Sequence, residues 1–244
     1  MKKAWGIYLN RHRTKKYALF CILIFYALTL RINGQEALQL DFTSKYIWRG
    51  FDVLDDKPAL QPSISFDLFG LYLNVWGSFA LEERDSLRPL DEIDVTLSSN
   101  FQLSDEFSIE AGVIHYGWYW EDNFSFKDST TWELFVSAKL TKLLFAPSIT
   151  VFHDFKLGKG TYVLLQGEYS LEMRNFITLN FSASLGYNAK MWIDTSGFSD
   201  LNFGVSSPIK LGSTTISPFI NYTIVFLESV NENNEVWFGI SLAL

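Results

Sequence analysis

From residue 35 to the end of this 244-residue chain, apolar and polar residues alternate with a period of two, and no stretch repeats apolar positions at helical spacing for long. Successive side chains of a strand point to opposite faces, so this pattern writes two chemically different rows on one line. In the first segment Leu38, Leu40, Phe42, Tyr46 and Trp48 form the apolar row, and Gln39, Asp41, Thr43, Lys45 and Arg49 the polar one. Ile177, Leu179, Phe181, Ala183 and Leu185 against Thr178, Asn180, Ser182 and Ser184 is the cleanest case.

Twelve such segments are predicted, near 37–50, 60–68, 71–81, 91–101, 107–119, 131–140, 143–154, 161–171, 177–188, 199–207, 214–225 and 235–244. Most approach the ~9 to 11 residues of a tilted membrane strand. Their connections alternate in length: 51–59, 82–90, 120–130 and 189–198 are long, whereas 69–70 and 141–142 are tight. Hairpins with both termini at one rim produce that asymmetry. The expected fold is therefore all-β, an antiparallel up-and-down transmembrane barrel of about 12 strands. A soluble barrel or sandwich would alternate as well.

Three features favour the membrane. The polar row is rich in Ser, Thr, Asn and Asp, with few cations beyond Lys45, Arg49 and Lys139, as a confined interior would have. Aromatics gather at strand ends, Tyr46, Trp48, Trp132 and Tyr187 toward the long connections and Phe69, Phe101, Phe107 and Phe145 toward the short ones. Lipid interfaces select two such belts. A spanning sheet must also close, because hydrocarbon offers nothing to an open edge. Pro62, Pro147 and Pro218 fall inside predicted strands, where a missing donor implies bulges or shifted boundaries.

Residues 1–34 read differently. Lys2, Lys3, Arg11, Arg13, Lys15 and Lys16 precede an apolar run from Tyr17 to Leu30, the order of a secretory signal peptide with cleavage near Gly34. The run falls short of the ~20 residues a spanning helix needs. Cys21, the single cysteine, lies within it, so the exported domain, 35–244, carries no disulfide. Seven of the 20 Lys and Arg leave with this segment and no acid does, which sets 13 cations against 27 acids, a net charge of about −14. Nucleic acid is excluded as a partner on that balance. The expected location is the outer membrane of a Gram-negative bacterium, with its lipids as the immediate partners.

The run Ser44-Lys45-Tyr46-Ile47-Trp48-Arg49-Gly50, followed by Pro58, Gly70-Leu71-Tyr72 and Val75-Trp76-Gly77-Ser78, resembles the start of a bacterial family of uncharacterised barrels, Gcw-type or TorF-like conserved hypothetical proteins. The pattern S-x-Y-x-x-R-G, a later Pro, then G-x-Y-x-x-x-W-x-S is met at each named position. The resemblance implies an outer-membrane barrel, porin-like in character, and brings no catalytic motif with it.

If the polar row faces a lumen, Asp41, Asp67, Asp94, Glu110, Glu133, Asp154 and Glu168 point inward against Lys45, Arg49 and Lys139, and the interior is acidic. Carboxylates in a narrow, poorly screened space favour cations. The first reading is thus a narrow porin-like channel for small neutral or cationic solutes. Arg49 is expected to pair with Asp41 or Asp67, and Trp76, on the polar row, to pack against Arg49 or line the lumen. Gly50 lets the chain turn into the first long loop.

The same residues admit a structural or adhesive barrel with a filled lumen, acting through acidic outer loops such as 52–56, 82–85 and 228–235. A lipid hydrolase needs a Ser-His pair on the outer wall, and neither His115 nor His153 stands in such a context. Adjacent strand residues face opposite ways, so His153 and Asp154 do not share a metal, and no nucleotide-binding glycine loop is present. No cofactor or catalytic residue is predicted.

Overall fold

The computed structural model describes residues 35–82, 91–119, 130–173 and 177–244. The expected signal peptide, its cleavage site and Cys21 lie outside the described residues. Among the described residues fifteen strands are present: β1 Gln35–Thr43, β2 Ile47–Trp48, β3 Phe51–Asp52, β4 Ala59–Leu68, β5 Leu71–Ala80, β6 Asp91–Gln102, β7 Phe107–Tyr119, β8 Thr130–Leu140, β9 Ser148–Asp154, β10 Thr161–Met173, β11 Ile177–Ala189, β12 Ser196–Ser206, β13 Ile209–Leu211, β14 Thr214–Val225 and β15 Glu235–Ala243. Twelve of them form one closed antiparallel barrel. Neighbours in sequence pair from β4 through β12; β12 then pairs with β14, β14 with β15, and β15 with β1, which lies beside β4. β13 is a short flap on β14, and β2 and β3 form a separate hairpin.

Register sorts the side chains. Across β8, Trp132, Leu134 and Val136 are half exposed on the outer wall, whereas Glu133 and Phe135 are buried. Following the pairs from strand to strand sorts alternate residues onto one inward face. It carries Tyr72, Ser98 and Gly112, Ile114 with Glu133, Glu168, Ser182 and Gly204, Asn221 with Trp237, and Asp41 with Ser241. The outer row exposes Leu97, Leu134, Val151, Leu165, Ile220, Phe238 and Ile240, an apolar girdle of the kind hydrocarbon requires.

The strand bounds depart from expectation in two informative places. The first strand, predicted to 50, ends at Thr43. The seventh predicted strand, read from 143, is β9 and starts at Ser148, because Phe145 and Ala146 take positive φ and Leu140 donates its N–H to the Pro147 carbonyl at 2.9 Å. The connection read as tight at 141–142 is therefore a longer turn, and Pro147 precedes the strand. Pro62 interrupts the β4–β5 ladder, where the pairing skips from Leu60 to Ser63, and Pro218 stays in register against Ile240.

Candidate functional site

The site begins where β1 leaves the wall. After Thr43 the chain turns into the barrel interior: the Thr43 hydroxyl donates to the Lys45 carbonyl at 2.7 Å, and the Ser44 N–H reaches the Phe238 carbonyl at 2.8 Å. Residues 47–52 then form a hairpin in which Ile47 faces Asp52 and Trp48 faces Phe51. Its two central residues, Arg49 and Gly50, both have positive φ, 51° and 86°. That is the turn matching the twist of a two-residue hairpin, in which Asn-Gly is usual and arginine is not. A Cβ on Gly50 would lie 3.0 Å from Val230 Cγ1 and 3.1 Å from Asp200 Cβ, so the turn is pressed against the barrel.

The side chain that bears this strained backbone is held on every side. Arg49 makes a forked pair with Glu133 of β8, at 2.7 and 2.8 Å, and both are almost fully buried. Its guanidinium carbon lies 4.5, 4.2 and 4.7 Å from the ring centres of Trp48, Phe152 and Tyr162, and Met191 Sδ approaches Nη1 at 2.8 Å. Tyr116 donates its hydroxyl to Glu133 at 3.0 Å, and Tyr162 donates to Asp200 at 2.9 Å, with Ser199 also donating to Asp200 at 2.6 Å. Strands β7 to β10 and β12, together with the 190–195 loop, thus converge on one guanidinium. A planar five-donor cation with a stackable face meets all these demands, and an ammonium would not.

A second cation fixes the hairpin's flank. Lys45 Nζ binds Glu235 at 2.6 Å and also Asp56, and Asn231 supports the same glutamate at 3.0 Å. Asp52, Asp56 and Glu235 converge closely enough to suggest a cation site. The Lys45 ammonium already serves two of the three, and Asp52 spends its carboxylate on the N–H groups of Leu54, at 3.3 Å, and Asp56, at 2.7 Å. Burial pushes the Asp52 carboxyl above its usual range, with the charges of Asp56 and Glu235 adding to the shift.

These positions correct the expected roles of the motif. Tyr46 and Trp48 do not stand in a lipid-facing belt. The period-two parity of β1 lapses once the chain leaves the wall at Ser44, and both rings turn inward. Tyr46 packs on Trp76 at 5.5 Å and on the Leu54, Ala59 and Ala80 cluster, while Trp48 meets Tyr116 at 5.9 Å. Trp76 therefore packs on Tyr46, not on Arg49. The partner of Arg49 is Glu133, not Asp41 or Asp67: Asp41 accepts from Gln39 at 2.8 Å, and Asp67 accepts the Gly70 N–H in the β4–β5 turn at 3.0 Å. Trp132 and Tyr187 do lie on the outer wall, Trp132 against His115 at 4.6 Å and Tyr187 edge-on to Phe198 at 5.5 Å.

The remaining sequence candidates lie on the inward row without meeting at one point. Asp94 is buried opposite Trp76 and Tyr116; Glu110 faces Asn100 and Ser137; Lys139 faces Ser108 and Ser148; Glu168 faces Ser182. Asp154 is a structural acceptor, taking the N–H groups of Lys156 at 2.9 Å and Gly158 at 2.8 Å and the Thr131 hydroxyl at 2.8 Å. His153 points the other way, to Thr161 Oγ1 at 2.9 Å. What sequence reasoning missed is the group of Tyr116, Phe152, Tyr162, Met191 and Asp200. A trace was legible in Trp-Arg-Gly-Phe as a two-residue turn, and in Glu133 as a lone acid between Trp132 and Leu134.

Below the hairpin the lumen opens. A cavity of about 450 Å³ is lined by Gln39, Asp41, Glu168, Ser182, Asn221 and Ser241, among others, and among the described residues no Lys or Arg contributes to that lining. The structure therefore comprises a plugged long-loop half and a hydroxyl-lined, acidic short-turn half.

A closed twelve-strand barrel with an apolar outer girdle and a polar interior is the fold of bacterial outer-membrane barrels. The chain belongs to the family described as "Bacterial protein of unknown function (Gcw_chp)", whose model matches residues 37–226. Among solved structures it is similar to "KdgM porin" (TM-score 0.57, 11% identity, covering 85% of this chain and 98% of that one). It is also similar to the NanC porin (0.56, 10%, 85% and 98%) and to LpxR from Salmonella typhimurium (0.53, 8%, 86% and 99%). At these identities the likeness is one of fold. A search of curated proteins finds no match.

Proposed function

We propose that this protein is a narrow porin-like channel of the outer membrane of a Gram-negative bacterium, gated by its inward hairpin and passing small neutral or cationic solutes. The carrying observation is the short-turn cavity. Asp41 and Glu168 line it with serine and asparagine side chains, and no cation joins them among the described residues. Such a lining hydrogen-bonds neutral solutes and repels anions, because each carboxylate acts in a confined, weakly screened space. Similarity in fold to KdgM and NanC, both named porins, supports the reading, and the TorF-like likeness of residues 44–78 belongs with it. In reconstituted planar bilayers the protein should show small, cation-preferring conductance steps.

A second reading has its own observation. The Arg49–Glu133 pair and the aromatic rings around it fill the middle of the lumen, as in a structural barrel whose activity lies in its loops. A folded, inserted protein that stays electrically silent, even after the 47–52 hairpin is shortened, establishes this alternative and removes the channel. A lipid hydrolase has less support: His115 stacks on Trp132 and His153 contacts a threonine, with no serine bonded to either among the described residues.

A further inference from the structure

At the long-loop rim, above the Arg49 cluster, the hairpin and the wall enclose a second pocket of about 310 Å³, lined by Tyr46, Trp48, Phe51, Val53, Glu92, Trp118 and Trp192. Three tryptophans, a tyrosine and a phenylalanine surround one carboxylate. The rings are interlocked rather than loose: Trp118 meets Trp192 edge-on at 5.6 Å and stacks parallel to Tyr116 at 6.0 Å, and Trp48 stacks on Phe51 at 6.1 Å. Trp192 is placed by its own backbone, whose N–H donates to the Gly158 carbonyl at 3.0 Å. The cage is thus assembled from four separate parts of the chain, namely the hairpin, β6, β7 and the 190–195 loop.

Tyr46 and Trp118 hydrogen-bond the Glu92 carboxyl, but among the described residues no cation of the cage balances it. Arg49 is committed to Glu133 and Lys45 to Glu235 and Asp56. Among the described residues no Lys or Arg pairs with Glu92 or with Asp94, two positions further along β6. Asp94 is more than nine-tenths buried, and its Oδ1 has no hydrogen-bond partner. Two inward carboxyl groups therefore stand at and just below a wall of π-faces. Aromatic faces carry negative potential and attract cations, most strongly where water is excluded. They do not discriminate hydrogen-bonding groups, so they suit a cation with alkyl groups in place of N–H donors.

We infer that this pocket is a binding site for organic ammonium cations with alkylated, apolar heads, such as a quaternary ammonium group. The aromatic rings enclose the head, and the carboxylate end of the cage supplies the countercharge. The site deepens the proposed preference for cationic solutes by giving it a recognition step, and it is testable without any conductance.

The experiment titrates the tryptophan fluorescence of the purified full chain in detergent with tetramethylammonium and tetraethylammonium chloride, against sodium chloride at equal ionic strength and neopentyl alcohol as a neutral isostere. A saturable change with the ammonium ions alone is expected. Glu92→Gln and Trp192→Leu should each weaken it about tenfold, by loss of the countercharge or of one π-wall. Asp105→Asn, exposed in the turn between β6 and β7, should leave it unchanged. Equal response to the neutral alcohol, or parental titration by both cage variants, overturns the inference. Folding is checked by heat-modifiable gel mobility; should Glu92→Gln fail to fold, Trp192→Leu, at a position 37% exposed, decides. A protein that titrates but does not conduct keeps the site and loses the channel. One that conducts but does not titrate loses the site alone.

Discussion

The same strands build two unlike halves of one lumen. Toward the long loops β10, β11 and β12 turn Tyr162, Asn188 and Asp200 inward, all buried; six residues along, the same strands offer Glu168, Ser182 and Ser206 to an open cavity. The difference lies in what each half must satisfy. The upper half receives a foreign segment, the 47–52 hairpin, and the groups around Arg49 are matched to it: Glu133 for the guanidinium, rings for its faces, and tyrosine hydroxyls for Glu133 and Asp200. The lower half receives no such segment, and its small hydroxyl and amide groups are left to water or solute. In the proposed channel, conduction belongs to the lower half and its control to the upper.

The largest break in this contrast should come from Arg49→Ala. It strips a buried glutamate of its counterion and leaves it the Tyr116 hydroxyl as a donor, which costs about 3–5 kcal/mol for a buried pair broken on one side. Urea unfolding of refolded protein in detergent reads the loss. The double change Arg49→Met with Glu133→Leu should recover most of it, since two apolar side chains carry no desolvation cost.

Gly50→Ala comes next. Alanine at a φ of 86°, with its Cβ about to meet Val230 and Asp200, should cost about 1–3 kcal/mol and loosen the hairpin. Raised protease sensitivity within residues 47–52, with an intact barrel by gel mobility, is the expected signature. A smaller effect, confined to the lower half, is expected from Asp41→Asn with Glu168→Gln. Cation preference in bilayers should fall severalfold while the unfolding midpoint stays put, because both carboxylates line the open cavity and neither is buried. Unchanged selectivity would separate the cavity from the conduction path.

The smallest effect is a pH dependence at the hairpin's flank. Asp52 has a raised pKa, so the folded state holds its proton to higher pH than the unfolded chain does. Its contribution to stability is therefore greatest below the ordinary carboxylate range and declines as pH rises through that range toward the raised value. Asp52→Asn should flatten the pH dependence of hairpin protection, read by hydrogen exchange at Leu54 and Asp56, whose N–H groups bind this side chain.

The barrel itself was readable because period-two alternation is a local consequence of the strand backbone, and it places every strand residue on one face or the other without knowledge of its neighbours. Twelve strands, their order and the outward positions of Trp132 and Tyr187 followed from it. The inward hairpin was not readable by the same rule, because parity holds only while the chain remains in the wall. Ser44 ends it, and Tyr46 and Trp48 pass from the expected lipid face to the interior. The partner of Arg49 was equally out of reach, since Glu133 lies 84 residues away and nothing local distinguishes it from Asp41 or Asp67.

What the sequence determined alone was therefore the wall: two faces, their chemistry and the closure they require, all fixed by geometry that repeats every second residue. What only the tertiary structure decided was the contents of the lumen. A plug, a salt bridge and an aromatic cage depend on which residues meet across the barrel, and that meeting is set by closure of the whole sheet and not by any stretch of it.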